Sequence, residues 1–160
     1  MKVSRALLVA CLVVPLLTAC VTVRTETPMA PPVTYTCCET ADIDRLYTPG
    51  QMFTLHWMVE VSGEQSTAPP RPVDLEAELT GPFSSVEELK AALESSTGPA
   101  GRAVFKAETV RASGEPGYRP VSTIAIPTDA EAGFYNLTTT IVDDDHSTSG
   151  MSIVEVVPGR

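Results

Sequence analysis

Positive charge is scarce in this chain, and so are histidine and aromatic residues. Eleven lysine and arginine residues face 20 aspartate and glutamate residues, which gives a net charge of −9 over 160 residues. Binding to nucleic acid requires a basic face that neutralises phosphates, so the composition argues against a nucleic-acid partner. The two histidines, His56 and His146, are the available catalytic bases, and no Gly-x-Ser-x-Gly motif accompanies them. We therefore expect no enzymatic activity.

An apolar segment lies near the start of the chain. Lys2 and Arg5 precede an apolar run that begins at Ala6. A basic start, a short apolar run and small residues after it are typical of a secretory signal peptide. The alternative is an uncleaved membrane helix over residues 6–23, which is about the minimum length of roughly 18 residues for a span. Pro15 and the polar Thr18 argue against that alternative.

The run ends in Leu17, Thr18, Ala19 and Cys20, which resembles the lipobox of bacterial lipoproteins. The resemblance implies that residues 1–19 are a signal peptide, that the Cys20 sulfur receives a diacylglyceryl group, and that cleavage occurs just before Cys20. We therefore expect a protein anchored to a membrane by the lipid on Cys20, on the extracytoplasmic side of the cell envelope, with no other cofactor. Secretion without a lipid is the alternative. Without the signal peptide, nine basic residues would face 20 acidic ones, a net charge of −11.

Two further cysteines, Cys37 and Cys38, are adjacent and have no other partner in the predicted mature chain. They are compatible with a vicinal disulfide, an intermolecular bridge, a thiol pair for a soft metal, or two free thiols. A vicinal ring requires distortion, because adjacent Cα atoms lie closer together than in an ordinary disulfide.

Composition divides the rest of the chain into a tether and one domain. Residues 20–41 are rich in threonine and proline, including Pro28, Pro31 and Pro32, and show no hydrophobic period. They are typical of a spacer that holds a domain away from a membrane. Residues 42–158 are long enough to form one domain with its own core.

Alternation of apolar and polar residues dominates this domain. In residues 51–61, Phe53, Leu55 and Trp57 fall on one face, and residues 73–80 alternate in the same way. Such a period of two predicts half-buried strands. Further strands are predicted at residues 103–111, 121–126, 134–142 and 151–157, with an edge strand near residues 43–47, which makes about seven.

One helix is predicted within this series, over residues 84–95. Ser84 and Ser85 each precede a glutamate by three residues, which fits a capping box, and Gly98 and Pro99 follow. Val86, Leu89, Ala92 and Leu93 form one apolar stripe. We expect the helix to pack locally against the sheets, with a partner-binding helix as the alternative.

Short strands with polar turns indicate an all-β antiparallel sandwich. Residues 129–137 resemble the approach to the sixth strand of immunoglobulin-like domains, including fibronectin type III modules, where an Ala/Gly turn leads to a conserved tyrosine. The resemblance implies that Tyr135 is this corner tyrosine and that Leu137 takes the place of the second core cysteine of antibody domains. Neither core cysteine is present here. Trp57 is then expected to pack in the core of an early strand.

Two groups of side chains are candidate metal ligands. Residues 143–145 are three aspartates followed by His146, and they fit a polar hairpin turn better than a calcium loop, whose ligands are spaced differently. His56 and Met58 lie two residues apart on one strand face, and imidazole and thioether ligands suit copper. Cys37 and Cys38 are candidate additions to that site.

These observations predict a membrane-anchored lipoprotein with a non-catalytic role in binding, adhesion or an envelope complex. Its partners would be the membrane, through the lipid, and a protein of the cell envelope. The binding role rests on analogy with similar folds, which serve many functions. The alternative is an exported copper-binding protein that uses His56, Met58 and the cysteine pair.

Overall fold

The structure is a computed structural model that describes residues 33–61, 72–95, 101–113, 118–144 and 146–159. The predicted signal peptide and Cys20 lie outside these residues, so the lipobox remains a prediction. No helix in the described ranges has the length and apolar character needed to cross a bilayer.

The described chain is mostly β-strand and all its strand ladders are antiparallel, which confirms the all-β class. Its elements in chain order are β1 (Val33–Thr36), α1 (Thr40–Ile43), β2 (Met52–His56), β3 (Met58–Val61), β4 (Val73–Phe83), α2 (Val86–Glu94), β5 (Ala103–Lys106), β6 (Val110–Ala112), β7 (Val121–Ala125), β8 (Gly133–Val142) and β9 (Ser147–Val156).

The strands form three sheets. β1 pairs with β3, β2 pairs with β7, and a five-stranded sheet runs β5-β4-β8-β9 with β6 also on β4. The hairpin of β8 and β9 pairs ten residues on each strand, from Gly133 opposite Val156 to Val142 opposite Ser147. In the order of this sheet, β9 is the last strand.

Two predicted strands are each divided in the structure. The segment 51–61 breaks at Trp57, because the chain before it pairs with β7 and the chain after it pairs with β1. The segment 103–111 divides into β5 and β6, which pair with different parts of β4. The described chain has nine strands, where the sequence predicted about seven. The two divisions add two strands, the strand predicted near residues 43–47 is absent, and β1 lies within residues 20–41, which the sequence assigned to the tether.

The predicted edge strand near residues 43–47 is wrong. Residues Thr40–Ile43 form the single helical turn α1, and Tyr47 makes an isolated parallel bridge to Val156. The physical reason is that Asp42, Asp44 and Arg45 interrupt the apolar alternation. Hydrogen bonds from the Asp44 N–H to the Thr40 carbonyl and from the Tyr47 hydroxyl to the Asp42 carbonyl close the turn instead.

One hydrophobic cluster contains the inward-facing side chains of all three sheets. Alternate residues on the strands are buried, as the period of two predicts, and they include Phe53, Leu55, Leu75, Leu137 and Val154. Trp57 is 1% exposed, and its indole N–H donates to the Ser122 hydroxyl at 2.9 Å. Its polar atom is thus satisfied inside the core.

Helix α2 begins at the predicted capping box and contacts β4 and β8. The Ser85 hydroxyl accepts from the Glu88 N–H at 3.1 Å, and the Glu88 carboxylate accepts from the Ser84 N–H at 2.8 Å. Leu89 is the buried member of the apolar stripe. The helix therefore packs against the strands, as expected from its sequence.

Candidate functional site

The predicted ligands Cys37, Cys38 and His56 lie near α1, in a region that we call the α1 corner and define by Cys37, Cys38, Asp42, Tyr47 and His56. Strand β1 ends at Thr36, which pairs with Met58, and the two cysteines follow before the chain turns into α1. Helix α1 in turn contacts β2, the strand that ends at His56. The β1–β3 register therefore brings the start of α1 beside the end of β2.

A buried carboxylate orients the His56 side chain. The His56 Nδ1 lies 3.1 Å from Asp42 Oδ1 and 3.2 Å from Oδ2, and the His56 backbone N–H donates to Asp42 Oδ2 at 2.9 Å. The Asp42 side chain is 11% exposed, whereas that of His56 is 47% exposed. With a proton on Nδ1, the Nε2 lone pair is available to accept a hydrogen bond or to bind a metal.

Tyr47 also holds α1 in place. Its hydroxyl donates to the Asp42 carbonyl at 2.8 Å, and its ring packs edge-to-face on Phe53 at 4.8 Å between centroids. Burial raises the pKa of Tyr47 above its ordinary value, against the opposing effect of the Arg45 charge. Asp42 is thus fixed through both its backbone and its side chain.

Cys37 and Cys38 form a disulfide with each other and pack against the main core. Among the four states that the sequence left open, the structure contains the vicinal disulfide. Sulfurs in a disulfide are not thiolates, and the thiolate is the form of cysteine that binds metals. In this form the pair does not join His56 and Met58 as ligands.

The remaining predicted ligands do not assemble into a larger metal site. Across the described ranges, no three His, Cys, Asp or Glu side chains are placed to hold one metal ion. His56 is the last residue of β2 and the half-buried Met58 is the first residue of β3, so the two do not share one strand face as predicted, because the chain changes its pairing partner at Trp57. Among the described residues, no serine, threonine or cysteine side chain hydrogen-bonds to His56. The corner therefore presents one oriented imidazole with no nucleophile hydrogen-bonded to it.

Asp143 and Asp144 follow β8 and His146 precedes β9, so these residues lie in the turn between the two strands, as the hairpin prediction stated. The Asp143 N–H donates to the His146 carbonyl at 3.0 Å, and the His146 N–H donates to Asp143 Oδ1 at 2.7 Å. Asp145 lies outside the described residues. The carboxylate of Asp143 serves to close the turn.

Tyr135 lies near the start of β8. Its ring is fully buried, and its hydroxyl donates to the Glu131 carbonyl at 2.7 Å. Burial raises the pKa of Tyr135 above its ordinary value. A Cβ on Gly81 would lie 2.6 Å from the Tyr135 ring, so only glycine leaves room for the ring here. Leu137, two residues later, lies in the main core.

Three open grooves on the described surface lie away from the α1 corner. Their volumes are about 330 to 450 Å³, and they are lined by residues of β4 to β8 and by Met52 at the start of β2. Glutamates and Lys106 line the groove beside Thr138 and Thr140. Neither His56 nor Asp42 contributes to these grooves.

Comparisons with known proteins leave the family open. No family model matches the sequence, and no curated protein matches it. A sporulation control protein from Bacillus subtilis is similar over 80% of this chain and 49% of its own, with 16% identity and a TM-score of 0.38. A family 123 glycoside hydrolase from Clostridium perfringens is similar over 79% of this chain and 27% of its own, with 10% identity and a TM-score of 0.44. This chain spans half or less of each of these structures, and likenesses of this strength carry no argument about function.

Asp42 is the site residue that sequence reasoning missed. It appeared only as the first residue of the domain, although it is buried and binds a side chain 14 positions away. No local sequence pattern predicts a contact between Asp42 and His56. The available signal was weak: Asp42 directly precedes the predicted edge strand at residues 43–47, and a carboxylate that becomes buried requires a partner.

Proposed function

We propose that this chain is an extracytoplasmic lipoprotein, anchored through Cys20, whose β domain has a non-catalytic role in binding, adhesion or an envelope complex. The observation that carries the proposal is the tetrad of residues 17–20 at the end of a short apolar run with a basic start. Each buried methylene contributes about 0.8 kcal/mol, and a single acyl chain binds only reversibly. The two chains of a diacylglyceryl group would therefore hold the protein stably.

The disulfide between Cys37 and Cys38 supports a location outside the cytoplasm. Disulfides persist in oxidising compartments such as the periplasm and the cell surface and are rare in the cytosol. The pair lies only 17 residues after Cys20, at the start of the described chain. In such a compartment the bond between Cys37 and Cys38 would persist once formed.

We infer further that the β domain is an immunoglobulin-like sandwich. Its core cluster draws residues from β2 and β7 and also from β4, β8 and β9, as two facing sheets would. Tyr47 forms a parallel bridge with Val156, which places an early segment of the domain beside the end of its last strand, β9. The bond from Tyr135 to a carbonyl four residues upstream has the geometry of a tyrosine corner. These features support the inference.

The non-catalytic role is supported by the chemistry of the α1 corner. A general base needs a nucleophile or an acidic proton within hydrogen-bond reach, and His56 has only Asp42 as its side-chain partner among the described residues. An imidazole that accepts a hydrogen bond at a protein surface fits recognition of a partner. Because such domains serve many functions, the partner is left as a protein of the envelope.

The anchor is tested by comparing two cysteine variants of the full chain. Cys20→Ala should abolish incorporation of radiolabelled fatty acid and should leave the precursor unprocessed or move the protein out of the membrane fraction. Cys11→Ala is the matched control, because Cys11 lies in the predicted signal peptide and should be dispensable. Normal trimming and unchanged membrane retention of Cys20→Ala would contradict the proposal.

A second candidate, copper binding, is favoured by one observation. Asp42 holds the His56 Nδ1 and leaves Nε2 free, and metal-binding histidines are often oriented in this way by a carboxylate that does not itself bind the metal. Met58, two residues away, would supply a thioether that suits Cu(I). In the disulfide form Cys37 and Cys38 would not contribute.

Titration with Cu(I), read by native mass spectrometry, tests this candidate. His56→Ala should lose one bound copper relative to the wild type, whereas His146→Ala should retain it because His146 lies in the β8–β9 turn. If the wild type binds no Cu(I), or if both histidine variants bind it equally, the copper candidate is rejected. The lipoprotein proposal does not depend on this result.

A further inference from the structure

The open edge of β9 differs from the opposite edge of the same sheet. At the β5 and β6 side, the edge consists of strands of four and three residues that are separated by residues 107–109. Lys106 and Arg111 lie on them, and charges and short strands are the usual protection of a sheet edge. Strand β9 has ten residues and no charged residue between Ser147 and Val154.

The hydrogen-bonding direction of β9 follows from the bridge to Tyr47. The Tyr47 N–H donates to the Glu155 carbonyl, and the Val157 N–H donates to the Tyr47 carbonyl. The backbone groups of residues 155 and 157 therefore point away from β8. Because these directions alternate along a strand, the N–H and C=O groups of Ser147, Ser149, Met151 and Ile153 point away from β8 as well.

These four residues are left open by the described chain. Among the described residues, β9 pairs with β8 on one side and with Tyr47 at Val156 on the other. Tyr47 thus covers the end of the edge that carries Glu155, and the uncharged part stays open. Ser147, Ser149 and Met151 are exposed, and Met151 is the most exposed large hydrophobic residue described, at 64%.

We propose that a second copy of this chain covers this edge, by antiparallel pairing of β9 with β9 about a two-fold axis at Gly150. This register places Ser149 opposite the partner's Met151 and Ser147 opposite the partner's Ile153. All four open residues are then paired, with about eight backbone hydrogen bonds between the copies. The pairing ends before the groups that Tyr47 already uses.

Charge does not oppose a second copy at this edge, although the chain is acidic. Three carboxylates of the sheet lie in a row on β4, where Asp74, Glu76 and Glu78 alternate with inward residues, and Glu155 lies at the end of β9 that Tyr47 covers. In the paired sheet, the two β4 strands would be five strand spacings apart, roughly 24 Å. This distance exceeds the Debye length of about 8 Å at physiological salt, so the rows would not repel each other appreciably.

The side chains of the open edge also match a copy of themselves. Residues with outward backbone groups place their side chains on the face that holds Thr138 and Thr140, because Met151 pairs with Thr138 and Ser149 with Thr140. In the proposed register the two Met151 side chains are diagonal neighbours, a distance that long side chains can bridge. Two exposed thioether side chains would cover each other, and an isologous contact of this kind closes as a dimer.

The test measures the mass of the full-length protein, purified in detergent from whole cells whichever fraction contains it, by light scattering that separates protein from detergent mass. The wild type should have the mass of two chains. Met151→Lys should have half that mass, because two lysines would face each other across the axis. Val121→Lys is the matched control, since Val121 is an exposed strand residue of another sheet, and this variant should remain dimeric.

Met151→Pro is the second variant, because the Met151 N–H points away from β8 and its loss leaves the β8–β9 ladder intact. It should also give half the mass, with a circular dichroism spectrum like that of the wild type. A monomeric wild type, a dimeric Met151→Lys variant, or a β9 edge occupied by a different protein in the purified sample would each overturn the proposal. The lipid anchor is tested separately, so the two can fail independently.

A measurement in membranes completes the test. Ser149→Cys should be captured as a dimer by a short thiol cross-linker, whereas Thr123→Cys, exposed on β7, should behave like the wild-type background. Equal cross-linking of the two variants would contradict the β9 register.

Discussion

The two helices of this domain depend on different kinds of contact. Helix α2 is capped by residues inside or next to it, because Ser84, Ser85 and Glu88 satisfy one another within five positions. Helix α1 has no side-chain cap hydrogen bond, and residues from outside it fix its Asp42. These residues are Tyr47, five positions after Asp42, and His56, 14 positions after Asp42. A helix with a local cap can be read from a sequence, and a helix held by distant residues cannot.

The α2 side also has distant contacts, but they add to a helix that is already specified. Arg102 donates to the Pro82 carbonyl and to the Glu88 carboxylate, and its guanidinium lies 4.7 Å from the Phe83 ring centroid. Helix α1 has no side-chain cap, and the contacts of Asp42 with Tyr47 and His56 take its place. We therefore expect single substitutions to affect the two helices unequally.

The largest effect is expected from Asp42→Ala. This change removes the acceptor of the His56 backbone N–H and the partner of its imidazole. A hydrogen bond to a charged group contributes about 1.5–3 kcal/mol, and the half-exposed His56 imidazole adds little because solvent screens its pairing with Asp42. The free energy of unfolding should therefore fall by about 2–3 kcal/mol. Urea unfolding measures it. Asp44→Ala, which changes an exposed carboxylate of the same turn, is the control and should cost less than about 0.5 kcal/mol.

A loss for Asp42→Ala no larger than that for Asp44→Ala would break the comparison. It would mean that α1 is held by its backbone turn and by Tyr47 alone.

A smaller effect is expected from Ser85→Ala. Loss of an N-cap side chain costs about 1 kcal/mol, and the Ser85 hydroxyl is the acceptor of the Glu88 N–H. Lys90→Ala, at an exposed position of the same helix, is the matched control and should cost a few tenths of a kcal/mol. Hydrogen exchange of the α2 amides would localise the loss, and equal protection in the two variants would count against the cap.

The smallest effects are expected from pH, because α2 should lose stability on the acid side and α1 on the alkaline side. Hydrogen bonds from Ser84 lower the pKa of Glu88 from its ordinary value of 4.5. The stability it contributes is therefore present above pH 4.5 and is lost as the pH falls through its folded pKa. Burial raises the pKa of Tyr47 from its ordinary value of 10.0. Its contribution is present below pH 10.0 and is lost as the pH rises through its folded pKa.

Unfolding curves measured across this range provide the check. The stability difference between wild type and Glu88→Gln should shrink on the acid side, and the wild type should lose more stability than Tyr47→Phe on the alkaline side. Parallel pH profiles for wild type and variants would contradict both assignments.

The sequence predicted the features that depend on period and on neighbours. The alternation in β2 and β4 identified Phe53, Leu55 and Leu75 as core residues, and the capping box located the start of α2. The break at Trp57 was not predictable, because it arises from a change of pairing partner from β7 to β1. The pair of Asp42 and His56 was missed for the same reason. Contacts between distant segments leave no periodic signal.

The residues of the candidate site were likewise predicted only in part. His56 and Met58 were identified from their ligand chemistry and spacing, whereas the carboxylate that orients His56 emerged only from the fold. The vicinal disulfide was one of four states compatible with adjacent cysteines, and the sequence contains nothing that selects among them. The lipid-anchor prediction concerns residues outside the described chain, and it is independent of how the β domain folds.

The most direct test of the central proposal is the mass of the amino-terminal peptide of the mature protein, purified from membranes of its own host. We predict that this peptide begins at Cys20 and carries a diacylglyceryl group on the cysteine sulfur, with or without an acyl group on the new amino terminus. A peptide that begins at Met1, or one that begins at Cys20 with an unmodified thiol, would contradict the proposal.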